Sequence, residues 1–285
     1  MPQTRSQNPL TRIDAVLPAG GRLKPPFAQA PGVDIKALLP LEGQTVLRRT
    51  IQPLRETEGI GRIVVVGPEA ALEEARAAGA EGALPEGETG PDNIFRGLEW
   101  LQAQEDLTDR VLIVTTDAPF LTPEAITRFL AACPTDADIC IPLVERRPFE
   151  ALYPGLIRTD TPLRDGYFRL GCLYLIDPQT LLRVRPHLEA MFAARKSNFQ
   201  MARLIGFPFL FRYLLRRLSV EDIVARACEL LQCRGVAVHD VPPELGFDID
   251  LAEEYAYARA YAAGQIQPTA PVRATDPLKG KETAR

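Results

Sequence analysis

Histidine is nearly absent from this 285-residue sequence, which has only His187 and His239. A histidine-based nucleophilic triad or a multi-histidine metal site has little to draw on. The five cysteines (133, 140, 172, 228 and 233) are odd in number and never spaced CxxC, so neither a zinc site nor a disulfide framework is indicated. Reduced thiols and a cytoplasmic setting are the expectation. The first twelve residues are polar and hold no apolar core of the kind a secretory signal needs. The longest apolar stretch, 204–215, is interrupted by Pro208 and Arg212 and is too short to span a bilayer. Basic excess is missing too, since the net charge is −4, and this argues against a nucleic-acid surface. Lysine is rare beside arginine: there are five against 28, and between Pro25 and Leu278 only Lys36 and Lys196 occur. An isolated lysine in an arginine-rich chain marks a place where a compact point charge is useful.

What remains for chemistry is carboxylates, arginine and those two lysines. Composition is otherwise that of an ordinary globular protein, 46% hydrophobic and 25% charged, long enough for a substantial core. Residues 14–22 read Asp-Ala-Val-Leu-Pro-Ala-Gly-Gly-Arg: a short apolar run suited to a buried first strand, then residues too small to obstruct a ligand. Glycine lets the backbone approach a phosphate and turn N–H groups toward it, and Arg22 and Lys36 add positive charge. The spacing is neither a Walker loop nor a dinucleotide fingerprint. Pro25-Pro26 and a loose segment follow, and the first helix is expected only from Thr45. A plain glycine turn after a strand is the other reading.

Apolar strands then alternate with amphipathic helices. Helices are expected over 45–55, 69–78 and 91–101, with strands over 61–67, 82–84, 110–116 and 138–144. Gly79 is placed to terminate the second helix, and Thr122 to cap the one after Asp117. This rhythm predicts a three-layer α/β/α sandwich with a mostly parallel mixed sheet, whose ligands bind beyond the carboxyl ends of the strands. One domain is expected over 13–263, divided where the rhythm changes into 13–148 and 149–263. Disordered ends are expected at 1–12 and 264–285. In the second half a strand is expected over 168–176, helices over 178–194 and onward to 233, a strand over 236–241 and a helix over 251–263. The run Phe207-Pro-Phe-Leu-Phe-Arg-Tyr-Leu-Leu-Arg-Arg217 is aromatic and basic. Such a run can bind a membrane surface or a lipid-like acceptor. The commoner arrangement packs the apolar face on the core and solvates the arginines.

Two acidic groups stand out. Asp117 ends the strongest strand, a suitable place to hold Mg²⁺ against substrate phosphates, although strand-end aspartates also simply terminate strands. Far downstream, Phe247-Asp248-Ile249-Asp250 puts both aspartates on one side of an extended segment. Asp250 is also a natural helix N-cap.

Taken together, Leu17-Pro-Ala-Gly-Gly-Arg22 with Lys36-Ala-Leu-Leu-Pro40, Thr116-Asp-Ala-Pro-Phe-Leu-Thr-Pro-Glu124, and Phe247-Asp-Ile-Asp-Leu-Ala-Glu-Glu-Tyr255 resemble the nucleotidyltransferases of the MobA-like, molybdenum-cofactor guanylyltransferase type. The resemblance runs from about Asp14 to Tyr261 and implies a glycosyltransferase-A-like, nucleotide-diphospho-sugar transferase-like fold. It also implies roles. Leu17, Ala19, Gly20, Gly21 and Asn93 would bind the nucleotide, with Thr89 to Asn93 near base and ribose. Arg22 and Lys36 would stabilise charge as pyrophosphate leaves, and Asp117 and Asp250 would hold Mg²⁺. The family's loop is Ala-Gly-Gly-x-Ser/Thr-x-Arg-Met with the lysine close behind. Here the arginine follows Gly21 directly and a Pro-rich insertion precedes Lys36, a departure that touches Arg22 most.

The expected activity is Mg²⁺-dependent transfer of NMP from an NTP, GTP or CTP first among them, to a phosphorylated small-molecule acceptor, with release of pyrophosphate. Lys196, beside Arg195 and just before a helix start, is expected to face the acceptor. No nucleic acid or transmembrane segment is expected, and a homodimer is allowed. The competing readings are a glycosyltransferase using a nucleotide-sugar and a non-catalytic nucleotide-binding regulator. The first usually wants an Asp-x-Asp, and Thr115-Thr116-Asp117 lacks the leading aspartate.

Overall fold

Strand β1 (Ile13–Pro18) is the centre from which the architecture is built. Its side chains alternate between two cores: Ala15 and Leu17 enter one and Val16 the other, all fully buried. A strand covered on both faces needs helices on both, and these follow. The computed structural model describes residues 12–23, 33–104, 108–156, 160–194 and 197–269.

A two-residue hairpin of β2 (Pro40–Leu41) and β3 (Gln44–Thr45) turns through Glu42 and Gly43, both at positive φ. Thr45 then caps α1 (Val46–Glu56) by accepting from the Arg48 N–H at 3.1 Å. The first half continues with β4 (Ile60–Gly67), α2 (Glu69–Ala77), β5 (Gly82–Pro85), α3 (Gly90–Gln102), β6 (Val111–Val114) and α4 (Pro123–Ala132). Next come β7 (Ile139–Glu145), α5 (Arg146–Leu152), β8 (Thr161–Leu163), β9 (Gly166–Leu170) and β10 (Leu173–Ile176). Helices α6 (Pro178–Arg183), α7 (Arg185–Ala194), α8 (Asn198–Ile205), α9 (Phe207–Leu214) and α10 (Val220–Leu231) precede β11 (Gly235–Val238) and α11 (Ala252–Ala262).

The nine-stranded sheet runs β5-β4-β1-β6-β10-β7-β9-β8, with β11 beside β7. Strands β5, β4, β1 and β6 are parallel; β10 lies antiparallel between β6 and β7, and β11 is parallel to β7. Strands β8 and β7 both run antiparallel to β9, so seven of the nine strands point one way and only β9 and β10 the other, as the sandwich expectation requires. Because β10 links β6 to β7, the two sequence halves share one sheet. One core holds apolar faces of α1, α2, α4, α5 and α11; the other holds those of α3 and α6.

Three expectations are corrected. The single strand over 168–176 is two, interrupted at Gly171–Cys172. There Gly171 N–H donates to Pro142, while Cys172 N–H donates out of the sheet to Leu245 O at 2.8 Å. Asp250 is not the N-cap of α11, because the extended residue at its start is Leu251. The α9 run does not pack its apolar face on the core: none of its residues is buried. Phe209 and Leu210 are half-buried, Arg212 is drawn to Asp222 of α10 at 3.0 Å, and Phe207, Phe211 and Leu214 are left outward. At the end of the described residues, Thr269 N–H donates to Ala151 O at 2.9 Å.

Six aromatic rings tie the segment after β6 to the segment before α11. Phe120 meets Phe247 edge-on at 4.8 Å between centroids, and Tyr153 contacts both, with Phe149, Tyr257 and Tyr261 around them. Phe120 lies three residues after Asp117 and Phe247 immediately precedes Asp248, so this cluster fixes the two acidic segments relative to each other.

Helix α3 sits close on β1 because Gly97 has no side chain; a Cβ there would fall far inside contact with Val16 Cγ1. Gly97→Ala is expected to lower stability by about 1–2 kcal/mol, overpacking outweighing the gain in helix propensity. In urea denaturation, the Gly97→Ala, Val16→Ala double variant should lose less than the two single losses summed.

Candidate functional site

Beyond Pro18 the first strand gives way to the glycine turn. Ala19 N–H donates to Val66 O at 2.7 Å, and the Thr116 hydroxyl donates to Pro18 O at 3.1 Å. A Cβ on Gly20 would lie 2.8 Å from both Asn93 Nδ2 and Glu86 Oε2, so a side chain there would displace the ends of both. The chain from Gly21 to Lys36 is pinched at its base. Lys36 N–H donates to Gly21 O at 2.9 Å, Leu23 N–H donates to Asp34 O at 2.8 Å, and Arg22 bridges Ile35. The lysine thus stands beside the glycines despite the insertion, its Cδ 3.5 Å from where a Gly21 Cβ would be.

Strand β6 delivers Asp117 to the same edge. Its carbonyl accepts from Ile249 N–H at 3.0 Å, and Phe247 and Ile249 are fully buried. Alternation then sends the flanking Asp248 and Asp250 to the opposite side, toward Asp117. One carboxylate oxygen from each of Asp117, Asp248 and Asp250 lies within 4.8 Å of the others. Glu254 Oε2 braces the segment by accepting from Asp250 N–H at 2.6 Å and Leu251 N–H at 2.9 Å. Lys36 Nζ hydrogen-bonds Asp250 Oδ1 and stands 3.8 Å from Asp117 Oδ2.

These groups perturb one another. Burial first, then the negative charge of Asp248, push the Asp117 carboxyl up to about 6. Burial opposes charge on Lys36, but its hydrogen bond to Asp250 and the charges of Asp117, Asp250 and Asp248 outweigh this, and its pKa lies above the ordinary lysine value. Asp117 Oδ1 is buried and accepts no hydrogen bond. Three converging carboxylates, one with an unused buried oxygen and none accompanied by sulfur or imidazole, fit a hard, oxygen-seeking cation such as Mg²⁺.

The expected site residues separate into groups. Gly20, Gly21, Lys36, Asn93 and Asp117 line one cleft of about 560 Å³, and Asp250 joins it through Lys36. Leu17 and Ala19 turn their side chains into the core, leaving only their main chain to the cleft. Arg22 is turned aside: its guanidinium pairs with Glu86 and donates to Gly20 O at 3.1 Å. Asn93, on the first turn of α3, is buried and accepts from Gly87 N–H at 2.7 Å, so it braces the cleft wall. Thr89 caps that helix, accepting from Asp92 N–H at 3.2 Å. Lys196 lies outside the described residues. Asp248, which the sequence pairs with Asp250, joins the site as a third carboxylate, whereas the lining residues Glu86 and Phe192 were not singled out from sequence. Asp248 carried a signal in its alternation with Phe247 and Ile249; Glu86 and Phe192 carried none.

The profile of the MobA-like NTP transferase domain matches residues 19–222. No protein of curated function matches the sequence. Among solved structures, one described as a hypothetical transferase from Thermus thermophilus is 32% identical, covering 85% of this chain and 99% of that one at a TM-score of 0.74. A nucleotidyl transferase from Methanothermobacter thermautotrophicus is 18% identical over 90% of this chain and 99% of its own, with a TM-score of 0.51. A 4-diphosphocytidyl-2C-methyl-D-erythritol synthase from Anaerococcus prevotii is 17% identical over 89% and 96%, with a TM-score of 0.52. The last two are likenesses of fold.

The raised Asp117 carboxyl gives a signed expectation. In metal-free protein its contribution to stability is full below the unfolded carboxyl range and is lost as pH rises through about 6. Asp117→Asn should therefore raise the metal-free Tm at pH 7.5 by roughly 3–5 °C. Mg²⁺ should raise the Tm of the unmodified protein at pH 7.5 but barely at pH 5, where the carboxyl is protonated. Mg²⁺ should do little for the variant at either pH. Scanning calorimetry with and without Mg²⁺ checks all three.

Proposed function

Because this chain belongs to the MobA-like NTP transferase domain family, we propose that it is a Mg²⁺-dependent nucleotidyltransferase acting on an NTP and a phosphorylated small molecule. The observation that carries this reading is the meeting of Asp117, Asp248 and Asp250 with Lys36 beside the Gly20–Gly21 turn. Carboxylates that hold a cation, a fixed ammonium and an unobstructed glycine backbone are what a triphosphate needs at one place.

In the reaction, a phosphate oxygen of the acceptor bonds to the α-phosphorus of the NTP, and the bond to the bridging oxygen of the β-phosphate breaks. The electron pair leaves with pyrophosphate. The acceptor's own oxyanion is the nucleophile, so no serine or cysteine is required. Gly20 and Gly21 leave room for the phosphates at the end of β1. Lys36 stays protonated in the company of three carboxylates and supplies a fixed positive charge where negative charge develops on the leaving group. Asp117, Asp248 and Asp250 would hold Mg²⁺, which when bound neutralises phosphate charge. Asn93 keeps Gly87 in place and so shapes the wall beside Gly20. Arg22, paired with Glu86, serves to hold the loop against that wall.

The test is release of pyrophosphate from each NTP in turn, GTP and CTP first, with Mg²⁺ and a pool of phosphorylated metabolites, the product being identified by mass spectrometry. One nucleotide should support turnover. Lys36→Met and Asp248→Asn should each lower kcat by about 100-fold or more while circular dichroism shows the fold retained. Silence with every NTP, alongside release of nucleoside diphosphate from a nucleotide-sugar, would favour the glycosyltransferase reading instead.

A further inference from the structure

Between Glu189 and Glu221 the sequence carries six cations (Arg195, Lys196, Arg203, Arg212, Arg216 and Arg217) and no carboxylate, in a chain whose net charge is −4. The same stretch holds six aromatic residues, Phe192 to Tyr213. Along α9, Phe207, Phe211 and Leu214 follow at i, i+4 and i+7 and form one stripe, with Leu215 continuing it. That stripe faces outward: Phe207 is 57% exposed, Phe211 63% and Leu214 68%. Phe199 of α8, 68% exposed, meets Phe207 edge-on at 5.9 Å and widens the patch.

The hairpin that presents this patch is held firmly. Gly206, at φ 99°, makes the turn between α8 and α9 that a side chain would resist. Arg226 Nε of α10 donates to Ile205 O at 2.9 Å, and Arg212 pairs with Asp222 at 3.0 Å. Arg212 is thereby neutralised. Arg203, Arg216 and Arg217 are exposed and have no carboxylate partner among the described residues.

We propose that this α8–α9 face docks on an anionic phospholipid surface, its phenylalanines and leucines entering the headgroup boundary and Arg216 and Arg217 meeting lipid phosphates. Exposed aromatics rimmed by unpaired arginines match that environment on both counts, apolar depth and surface charge. A second copy of the chain matches it poorly. A two-fold interface sets a patch against itself, and here that would face cations with cations and no carboxylate from the same stretch between them. The inference does not rest on the nucleotidyl-transfer reading, because docking is measured without nucleotide or acceptor.

The experiment is co-sedimentation of the full-length chain with vesicles of phosphatidylcholine alone or with about one quarter phosphatidylglycerol, at low and high salt. The protein should bind the anionic vesicles, release at high salt, and ignore the neutral ones. Arg216→Gln with Arg217→Gln should weaken binding by about thirtyfold, and Phe207→Ser with Phe211→Ser should abolish it. Circular dichroism melting checks that each variant folds, and if the phenylalanine pair misfolds, the arginine pair decides. No sedimentation with anionic vesicles overturns the proposal, as does binding indifferent to lipid charge. A dimer in analytical ultracentrifugation that Phe207→Ser with Phe211→Ser dissociates, in a protein that does not bind vesicles, overturns it in favour of a second copy.

Discussion

Carboxylates do not gather by preference. Three of them with oxygens within 4.8 Å repel one another, and a chain that assembles them must hold them by bonds formed elsewhere. Much of this molecule is that holding. The hydrogen bond from Ile249 N–H to the Asp117 carbonyl sets the register between two segments more than a hundred residues apart. The aromatic cluster around Phe120 and Phe247 locks that register from below, and Glu254 braces it from the start of α11. Lys36 offsets part of the repulsion, and what it leaves uncompensated is visible in the raised Asp117 carboxyl.

Each support comes from a different stretch of sequence: the pinched loop after β1, the turn after β6, the segment before α11. The sheet is what brings them together, since β1 and β6 are neighbours and end at the same edge. The segment that carries Asp248 is hydrogen-bonded to the sheet at Gly171–Cys172, where Cys172 turns its N–H to Leu245. The break that interrupts an otherwise continuous strand is thus one of the means by which the acidic segment is held over the sheet edge.

The sequence made some of this legible and hid the rest for identifiable reasons. Central strands and their helices could be read because burial on both faces leaves an apolar run, and caps such as Thr45 and Thr122 mark their own positions. Lys36, Asp117 and Asp250 could be read because their motifs are local. Asp248 was half-legible, through alternation with two residues that proved to be core. Glu86 and Phe192 were not, because their place at the cleft follows from how α3 and α7 lie on the sheet. Arg22 could be read as a cation but not aimed, since its direction is set by Glu86, sixty-four positions away. The direction of α9 was not legible, because an apolar period states that a helix has a face, not which way that face is turned.

The pinch at the base of the loop has a consequence for how the protein can change. With Lys36 bonded to Gly21 and Leu23 to Asp34, the ends of the intervening stretch are joined independently of what lies between them. Lengthening a closed loop is thermodynamically mild, about 0.6 kcal/mol for each doubling. The sequence between Leu23 and Asp34 can therefore change in length and composition while Lys36 keeps its station beside Gly21.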